Sequence, residues 1–348
     1  MTSFKKIIST SLLPAILLTV GPASPAMAQT AQADGFQTYL QSLWPKAQAM
    51  GISRRTFDSV VPGLTFNSRV VELDRSQPGD SGSSIPAFAP YRDRHVDNAR
   101  ITRGQAKYRA LRPMLARIEA ETGVPESIMV AIYGKETNYG SYVGDFDLPR
   151  SLATLAYDGR RRALFEGEFL ATLKMIDKGF PRYQLTGSWA GAFGYPQFLP
   201  SVYLRLAKDG DGDGFANIKT SEADALASIA NYFQQTGWRR GEPWGFAVNV
   251  PSSLDRSSIT SKSRPTRCAR VHERHSRWKS VSEWRALGIA PSRGSWPVSD
   301  NTMATLLEPD GPGATGYLLT GNYRVILDYN CSNFYGLTVG LLSDAVSR

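Results

Sequence analysis

The chain has 348 residues, a formal charge of +9 and two cysteines. That length exceeds one ordinary core, so two or three subdomains are expected, and no internal repeat or coiled-coil heptad pattern organises them. The positive charge is spread along the chain rather than clustered, so it names no partner by itself.

In chain order, the first segment reads as a leader. Lys5 and Lys6 precede the apolar run Leu12 to Val20, and Ala26-Met27-Ala28 is a small-x-small cleavage site. This is the pattern of a secretory signal peptide over residues 1–28, too short and wrongly flanked for a membrane span; the alternative is an N-terminal anchor helix. Removing Lys5 and Lys6 leaves a charge of +7. A basic exported chain suits an anionic envelope polymer or a membrane surface better than nucleic acid. No cysteine precedes Cys268, so no lipid is expected on a processed N-terminus, and the mature chain should start near Gln29.

Residues 34–75 are expected to be helical, with Phe36, Leu40, Leu43 and Ala47 at helical spacing and Ser53 capping a second helix. A polar Gly/Ser loop follows over 77–84, then an extended 85–90. A basic helix is expected over 103–122, more helices over 148–180, and another over 221–236 capped by Ser221. Between them, Gly187 to Gly194 reads as a Gly/Ala/aromatic loop entering a helix near Pro196. After Gly245 the segments 246–250, 316–320 and 322–329 read as strands. The expected class is mainly α (α+β), divided as 29–110 helical, 111–245 a helical core, and 246–348 β-containing.

The most informative residue is Glu136. Pro125 suits a helix start and Gly140 a helix stop, and Met129 and Ile132 lie seven and four residues before the glutamate. The carboxyl therefore shares an apolar stripe near the negative end of a helix dipole. Both effects disfavour the anion and raise its pKa, which suits a general acid. A buried carboxylate paired with an arginine fits the same pattern.

Ala131-Ile132-Tyr133-Gly134-Lys135-Glu136-Thr137-Asn138-Tyr139-Gly140 is followed by Leu152-Ala153-Thr154-Leu155-Ala156-Tyr157-Asp158-Gly159-Arg160-Arg161-Arg162. Then come Gly187-Ser188-Trp189-Ala190-Gly191-Ala192-Phe193-Gly194-Tyr195-Pro196-Gln197-Phe198, the string Asp209-Gly210-Asp211-Gly212-Asp213-Gly214, and Ala225 to Phe233. A late Asp328-Tyr329-Asn330 completes the series. In this order they resemble the membrane-bound lytic murein transglycosylase B family, glycoside hydrolase family 103, from about residue 35 to about 340. The resemblance implies a lysozyme-like helical catalytic domain with a helical N-terminal part and a small β part. It also implies non-hydrolytic cleavage of the MurNAc–GlcNAc bond of peptidoglycan in the periplasm. The catalytic acid then falls on Glu136, a serine near it on Ser188 and a glycan-contacting glutamine on Gln197. Aromatic substrate contacts fall on Tyr195, Phe198, Tyr232, Tyr329 and Tyr335, with Asn330 beside them, and an arginine pair on Arg161 and Arg162. The implied partners are peptidoglycan glycan strands and other cell-wall enzymes, with no nucleic acid and no transmembrane segment.

An ordinary glycosidase needs two carboxyls flanking the bond. Asp145, Asp147 and Asp158 are near in sequence, but none shares an apolar helical face as Glu136 does. A single carboxyl is sufficient if the substrate's own C6 hydroxyl is the nucleophile, since intramolecular attack gains effective molarity. A hydrolytic muramidase using Asp145 or Asp147, and a catalytically silent glycan-binding protein, are the competing readings. No cofactor is expected for the chemistry. Asp209, Asp211, Asp213 and Gly214 begin like a calcium loop, but the twelfth position is Thr220; Asp224 is the nearest closing carboxylate. The same string without a cation is a polar turn. Cys268 and Cys331 suit one disulfide in an oxidising compartment, or else two buried thiols.

Overall fold

The computed structural model describes residues 25–77, 86–262 and 265–348. The leader expected over 1–28 and the polar loop over 77–84 lie mostly outside them. Helices α1 (Pro25–Ser42), α2 (Trp44–Ala49), α3 (Arg54–Val60) and α4 (Ser68–Arg75) form the N-terminal layer. Ser53 caps α3 as expected, its side chain accepting from the Thr56 N–H. Phe36, Leu40 and Phe57 bury their side chains against Leu152, Phe165 and Phe169, so this layer shares one core with residues 152–173.

The next helices are α5 (Phe88–His95), α6 (Asn98–Ala110), α7 (Arg112–Thr122) and α8 (Glu126–Thr137). The sequence reading had 103–122 as one helix; it is two. Pro113 sits in the first turn of α7, and without an N–H it cannot continue the ladder of α6. Helix α8 is buried from Ile128 through Gly134. A Cβ on Gly134 would meet the Tyr139 ring at 2.4 Å, so the glycine makes room for the tyrosine that follows the helix.

Strand β1 (Phe146–Asp147) pairs antiparallel with β2 (Thr186–Gly187). Between them run α9 (Leu148–Asp158) and α10 (Arg162–Asp177), and after them α11 (Pro200–Leu206) and α12 (Glu222–Gln235), capped by Ser221. The segment after Phe193 does not enter a helix at Pro196. Phe193 and Phe198 exchange backbone hydrogen bonds of 3.0 and 3.1 Å, and α11 starts only at Pro200.

The C-terminal part holds β3 (Gly245–Asn249), α13 (Ala269–His272), β4 (Lys279–Ser280), α14 (Val281–Ala286), β5 (Ala290–Pro291), β6 (Met303–Leu307) and β7 (Gly316–Leu319). The five strands lie in the order β4-β6-β7-β3-β5, antiparallel throughout, with Leu306 opposite Leu318. Helices α15 (Gly321–Tyr329) and α16 (Asn333–Val346) end the chain and join the core of α8 and α12. Residues 322–329 were expected as a strand and are α15. Tyr323, Val325 and Leu327 alternate, but Asn322 and Ile326 are buried as well. Its β-branched and aromatic side chains favour a strand locally, and the helical pairing of Tyr323 with Ile326 and Leu327 spans little more than one turn. Thr320 caps it by accepting from the Asn322 N–H. Among the described residues, no helix is long and apolar enough to cross a membrane.

Cys268 and Cys331 form a disulfide with Cα atoms 5.4 Å apart, across 63 residues of chain. It ties the start of α13 to the turn between α15 and α16. Closing a loop of that length constrains the unfolded chain by roughly 2–4 kcal/mol. The denatured, unreduced protein should therefore titrate no free thiol, and Cys268→Ser should lower stability by about that amount in urea unfolding.

Candidate active site

Glu136 occupies the last turn of α8, where the helix is broken off by an unusual backbone. Asn138 and Tyr139 follow at φ of 51° and 60°, both in the left-handed region without being glycine. Such conformations are held only where the surroundings determine them, and they concentrate at functional sites. Asn138, rather than Gly140, stops the helix. Thr137 is buried and helps seat the turn, its hydroxyl donating to the Tyr133 carbonyl at 3.3 Å and accepting from the Gly140 N–H.

Glu136 as a whole residue is half-buried, but its carboxyl is turned inward, and desolvation is the largest influence on it, raising its pKa to about 7. Two groups pull the other way. The Tyr335 hydroxyl donates to Oε1 at 2.5 Å, and the Lys135 ammonium lies near enough to favour the anion. Tyr335 is on α16, 199 residues away. Ser332 caps that helix by accepting from the Tyr335 N–H, which fixes the tyrosine at the first turn. At neutral pH the carboxyl thus holds its proton part of the time and can give or take one.

A second tyrosine and a lysine complete this corner, and sequence reading singled out neither. Lys135 donates to the Tyr91 hydroxyl at 3.1 Å and lies over the rings of Tyr91 and Tyr335 at 4.6 and 5.6 Å. Burial, followed by the Arg100 charge, lowers the Lys135 pKa to about 7. Tyr91 comes from α5, and its pKa is raised by burial and then by the charge of Glu136. No local pattern around Tyr91 points to it; only the packing of α5 against α16 brings it here.

The loop after β2 forms another wall. Ser188 accepts the Ala192 N–H on its hydroxyl at 3.0 Å, and its own N–H donates to the Ala192 carbonyl at 2.7 Å. Its side chain therefore closes the loop. Gly144 passes so near that a Cβ there would lie 2.3 Å from the Gly187 backbone. Gln197 is held at φ 51°, with its amide donating to the Gly194 carbonyl at 2.8 Å. Tyr195 packs on Tyr133 at 5.2 Å between ring centres.

The remaining aromatic residues meet one another. Tyr329 lies 4.8 Å from Tyr232 and 6.0 Å from Phe198, its hydroxyl donating to the Pro196 carbonyl. Tyr232 donates to the Asp328 carbonyl at 2.8 Å. Phe198 and Tyr232 are buried, so they form a supporting wall and offer edges rather than open faces. Asn330 is exposed at the end of α15.

Other expected site residues are engaged elsewhere. Arg161, with Arg160, pairs with the buried Asp74 of α4, and Arg162 donates to the Tyr157 carbonyl at 3.2 Å. These arginines hold the N-terminal layer to the start of α10. Asp147, a candidate second carboxyl, caps α9 by accepting the Arg150 N–H and pairs with Arg182 at 2.5 Å. Asp158 pairs with Arg75 at 2.6 Å. Asp145 is exposed. Glu136 is thus the carboxyl whose surroundings suit proton transfer.

The acidic loop is partly as expected. Asp209, Asp211 and Asp213 gather, with one carboxylate oxygen from each within 4.8 Å of the others. Asp224 does not join them. It is fully buried and accepts the Gly210 and Asn217 N–H groups at 2.8 and 2.6 Å. These two bonds staple the loop to α12, and they use one N–H on each carboxylate oxygen.

Residues 35–344 match the transglycosylase SLT domain family. The chain belongs to that family. It is 31% identical, over 264 residues, to membrane-bound lytic murein transglycosylase B of Escherichia coli strain K12, covering 75% of this chain and 68% of that protein. Its fold is similar to that of SltB3 from Pseudomonas aeruginosa in complex with NAG-anhNAM-pentapeptide, at a TM-score of 0.80 and 37% identity over 90% of this chain and 79% of the other. Escherichia coli Slt35 in complex with calcium is similar at a TM-score of 0.70 and 27% identity, covering 90% of this chain and 93% of that one. The mainly helical, lysozyme-like class read from the sequence therefore stands, and the chain is an enzyme of the lytic transglycosylase kind.

The Tyr335 hydrogen bond favours the charged form of Glu136, so its removal should raise the carboxyl's pKa further. In a transglycosylase that needs the protonated acid, activity falls as pH rises through that pKa. Tyr335→Phe should therefore move the alkaline limb of the rate–pH profile upward from about 7. Stability carries the same sign. Folded Glu136 binds its proton more tightly than the unfolded chain, so this group erodes stability as pH rises from 4.5 to about 7. Glu136→Gln should then melt higher than wild type above pH 7 and show less difference below pH 4, by thermal denaturation.

Proposed function

We propose that this chain cleaves the MurNAc–GlcNAc bond of peptidoglycan without water, leaving 1,6-anhydroMurNAc ends, with Glu136 as acid and then base. The observation that carries this reading is the isolation of Glu136: one desolvated carboxyl, bonded to a tyrosine, while Asp147 and Asp158 are tied into caps and ion pairs. Glu136 gives its proton to the glycosidic oxygen as the C1–O bond breaks, and the substrate's acetamido oxygen bonds to C1. The carboxylate then takes the proton of the C6 hydroxyl, whose oxygen displaces the acetamido group and closes the anhydro ring. Atoms balance with no added water, and the intramolecular step gains effective molarity.

Tyr335 orients the carboxyl. In this reading Ser188 and Gln197 flank the acetamido group, Tyr195 and Tyr329 contact sugar rings, and Asn330 lies at the exposed edge. Peptidoglycan is outside the cytoplasm, so the chain acts in the periplasm, in keeping with the secretory pattern over residues 1–28 and with glycoside hydrolase family 103. Glu136→Gln should cut turnover of sacculi by at least about 10²-fold while keeping the fold, because the amide cannot donate to the leaving oxygen. Mass spectrometry of wild-type digests should show anhydro ends, one water lighter than reducing ends. Reducing ends instead would make the enzyme a hydrolase.

The acidic loop fits one structural calcium ion held by Asp209, Asp211 and Asp213, since three exposed carboxylates this close repel one another unless a cation is bound. Glu136 needs no ion for its proton transfers. Calcium at millimolar concentration should raise the melting temperature by a few degrees relative to EDTA, about the shift expected from 1 kcal/mol of linkage, and Asp211→Ala should abolish the difference.

A further inference from the structure

A cavity of about 330 Å³ lies on the far side of α15 from the aromatic wall, lined by Arg267, His272, Ser276, Trp278, Arg324 and Asp328. Its charges do not balance. Asp328 is the only acid in the lining, and it pairs with Arg267 at 3.3 Å. Arg324 has no ion-pair partner among the described residues; its guanidinium lies 5.2 Å over the ring of Trp278, which is 40% exposed. Nη1 of Arg324 and Nδ1 of His272 are both hidden from solvent without a hydrogen-bond partner. A desolvated cation without a counter-charge costs stability, and an orphaned buried donor adds to that cost. Burial alone lowers the Arg324 pKa, to about 10, as expected where no carboxylate compensates it.

The place of this cavity gives it a meaning. The Asp328 carbonyl accepts from both the Tyr232 hydroxyl and the Arg267 guanidinium. The next residue, Tyr329, packs on Tyr232. One end of α15 therefore presents the aromatic wall on one side and the basic cavity on the other. Asp328 of the cavity lining and Tyr329 are consecutive residues, so the cavity adjoins the proposed sugar site.

We propose that this cavity receives a carboxylate of the peptide branch of the glycan, with Arg324 as its counter-ion and Trp278 as the apolar wall beside it. The proposal rests on peptidoglycan being the substrate. A carboxylate carries one negative charge, which matches the single uncompensated guanidinium, and its planar oxygens match the guanidinium fork. A phosphate dianion would leave excess negative charge in a desolvated place. The cavity's volume is that of a small-ligand site.

The test uses the whole chain and titration calorimetry. The probes are an N-acetylmuramyl peptide ending in a free carboxylate, the same peptide amidated, and inorganic phosphate. Wild type should bind the free acid, with amidation and Arg324→Gln each weakening binding by about tenfold. Turnover of sacculi by Arg324→Gln should fall, while turnover of strands stripped of peptide should stay at the wild-type rate. Equal binding of the amidated peptide, tighter binding of phosphate than of peptide, or an equal loss on stripped strands would overturn the proposal. Trp278→Ala, at an exposed ring, provides the same comparison if Arg324→Gln does not fold. Wild type that makes no anhydro ends from intact sacculi would instead refute the reaction proposed above, so the two failures are distinct.

Discussion

The hydrogen bond from Tyr335 to Glu136 is the constraint around which the rest of the molecule is arranged. It joins the end of α8 to the start of α16, and it fixes a carboxyl in surroundings that disfavour its charge. Making that bond needs two helix termini to meet within a few tenths of an ångström. Helix α8 is accordingly buried along most of its length, and its terminus is forced into two consecutive left-handed residues. Desolvation supplies the proton affinity, while Tyr335 and Lys135 moderate it. Burial without them would lift the carboxyl higher, and a carboxylate with an arginine partner would lie too low to hold a proton at neutral pH.

The disulfide belongs to the same arrangement. Cys331 lies between Tyr329, at the end of α15, and Tyr335, in the first turn of α16. Its bond to Cys268 fastens that turn to α13. His275 and Asn333 add a buried hydrogen bond of 2.7 Å in the same region. The turn presents one tyrosine to the carboxyl and another to the aromatic wall, so staples placed there set the spacing between them. The small β sheet serves this end as well: β7 leads directly into α15, and sheet register determines where that helix begins.

The loop carrying Ser188 and Gln197 achieves its shape by satisfying its own backbone. Ser188 closes one end and the Phe193–Phe198 bridge the other, while Gln197 takes a left-handed conformation between them. Both polar side chains are spent partly on the loop itself. That makes the loop rigid before any ligand arrives, which is the arrangement catalysis favours, since little ordering remains to be done when substrate binds.

The sequence alone was sufficient for the class of fold, for a desolvated carboxyl with a raised pKa at Glu136, for the caps at Ser53 and Ser221, and for the family resemblance. Those features rest on local chemistry: apolar spacing over a few turns, side chains that bond neighbouring N–H groups, and ordered motifs. Tertiary packing decided the rest. It turned residues 322–329 into a helix, because so short a segment of β-branched and aromatic side chains takes the form that its packing favours. It gave Asp224 to the loop backbone and Arg161 to Asp74, since a charged side chain binds whichever partner the fold brings near. It carried Tyr91 to Lys135, the neighbour of Glu136, from 44 residues away. Local sequence fixes what a side chain can do, but partners and desolvation depend on long-range contacts, and these set which carboxyl holds a proton.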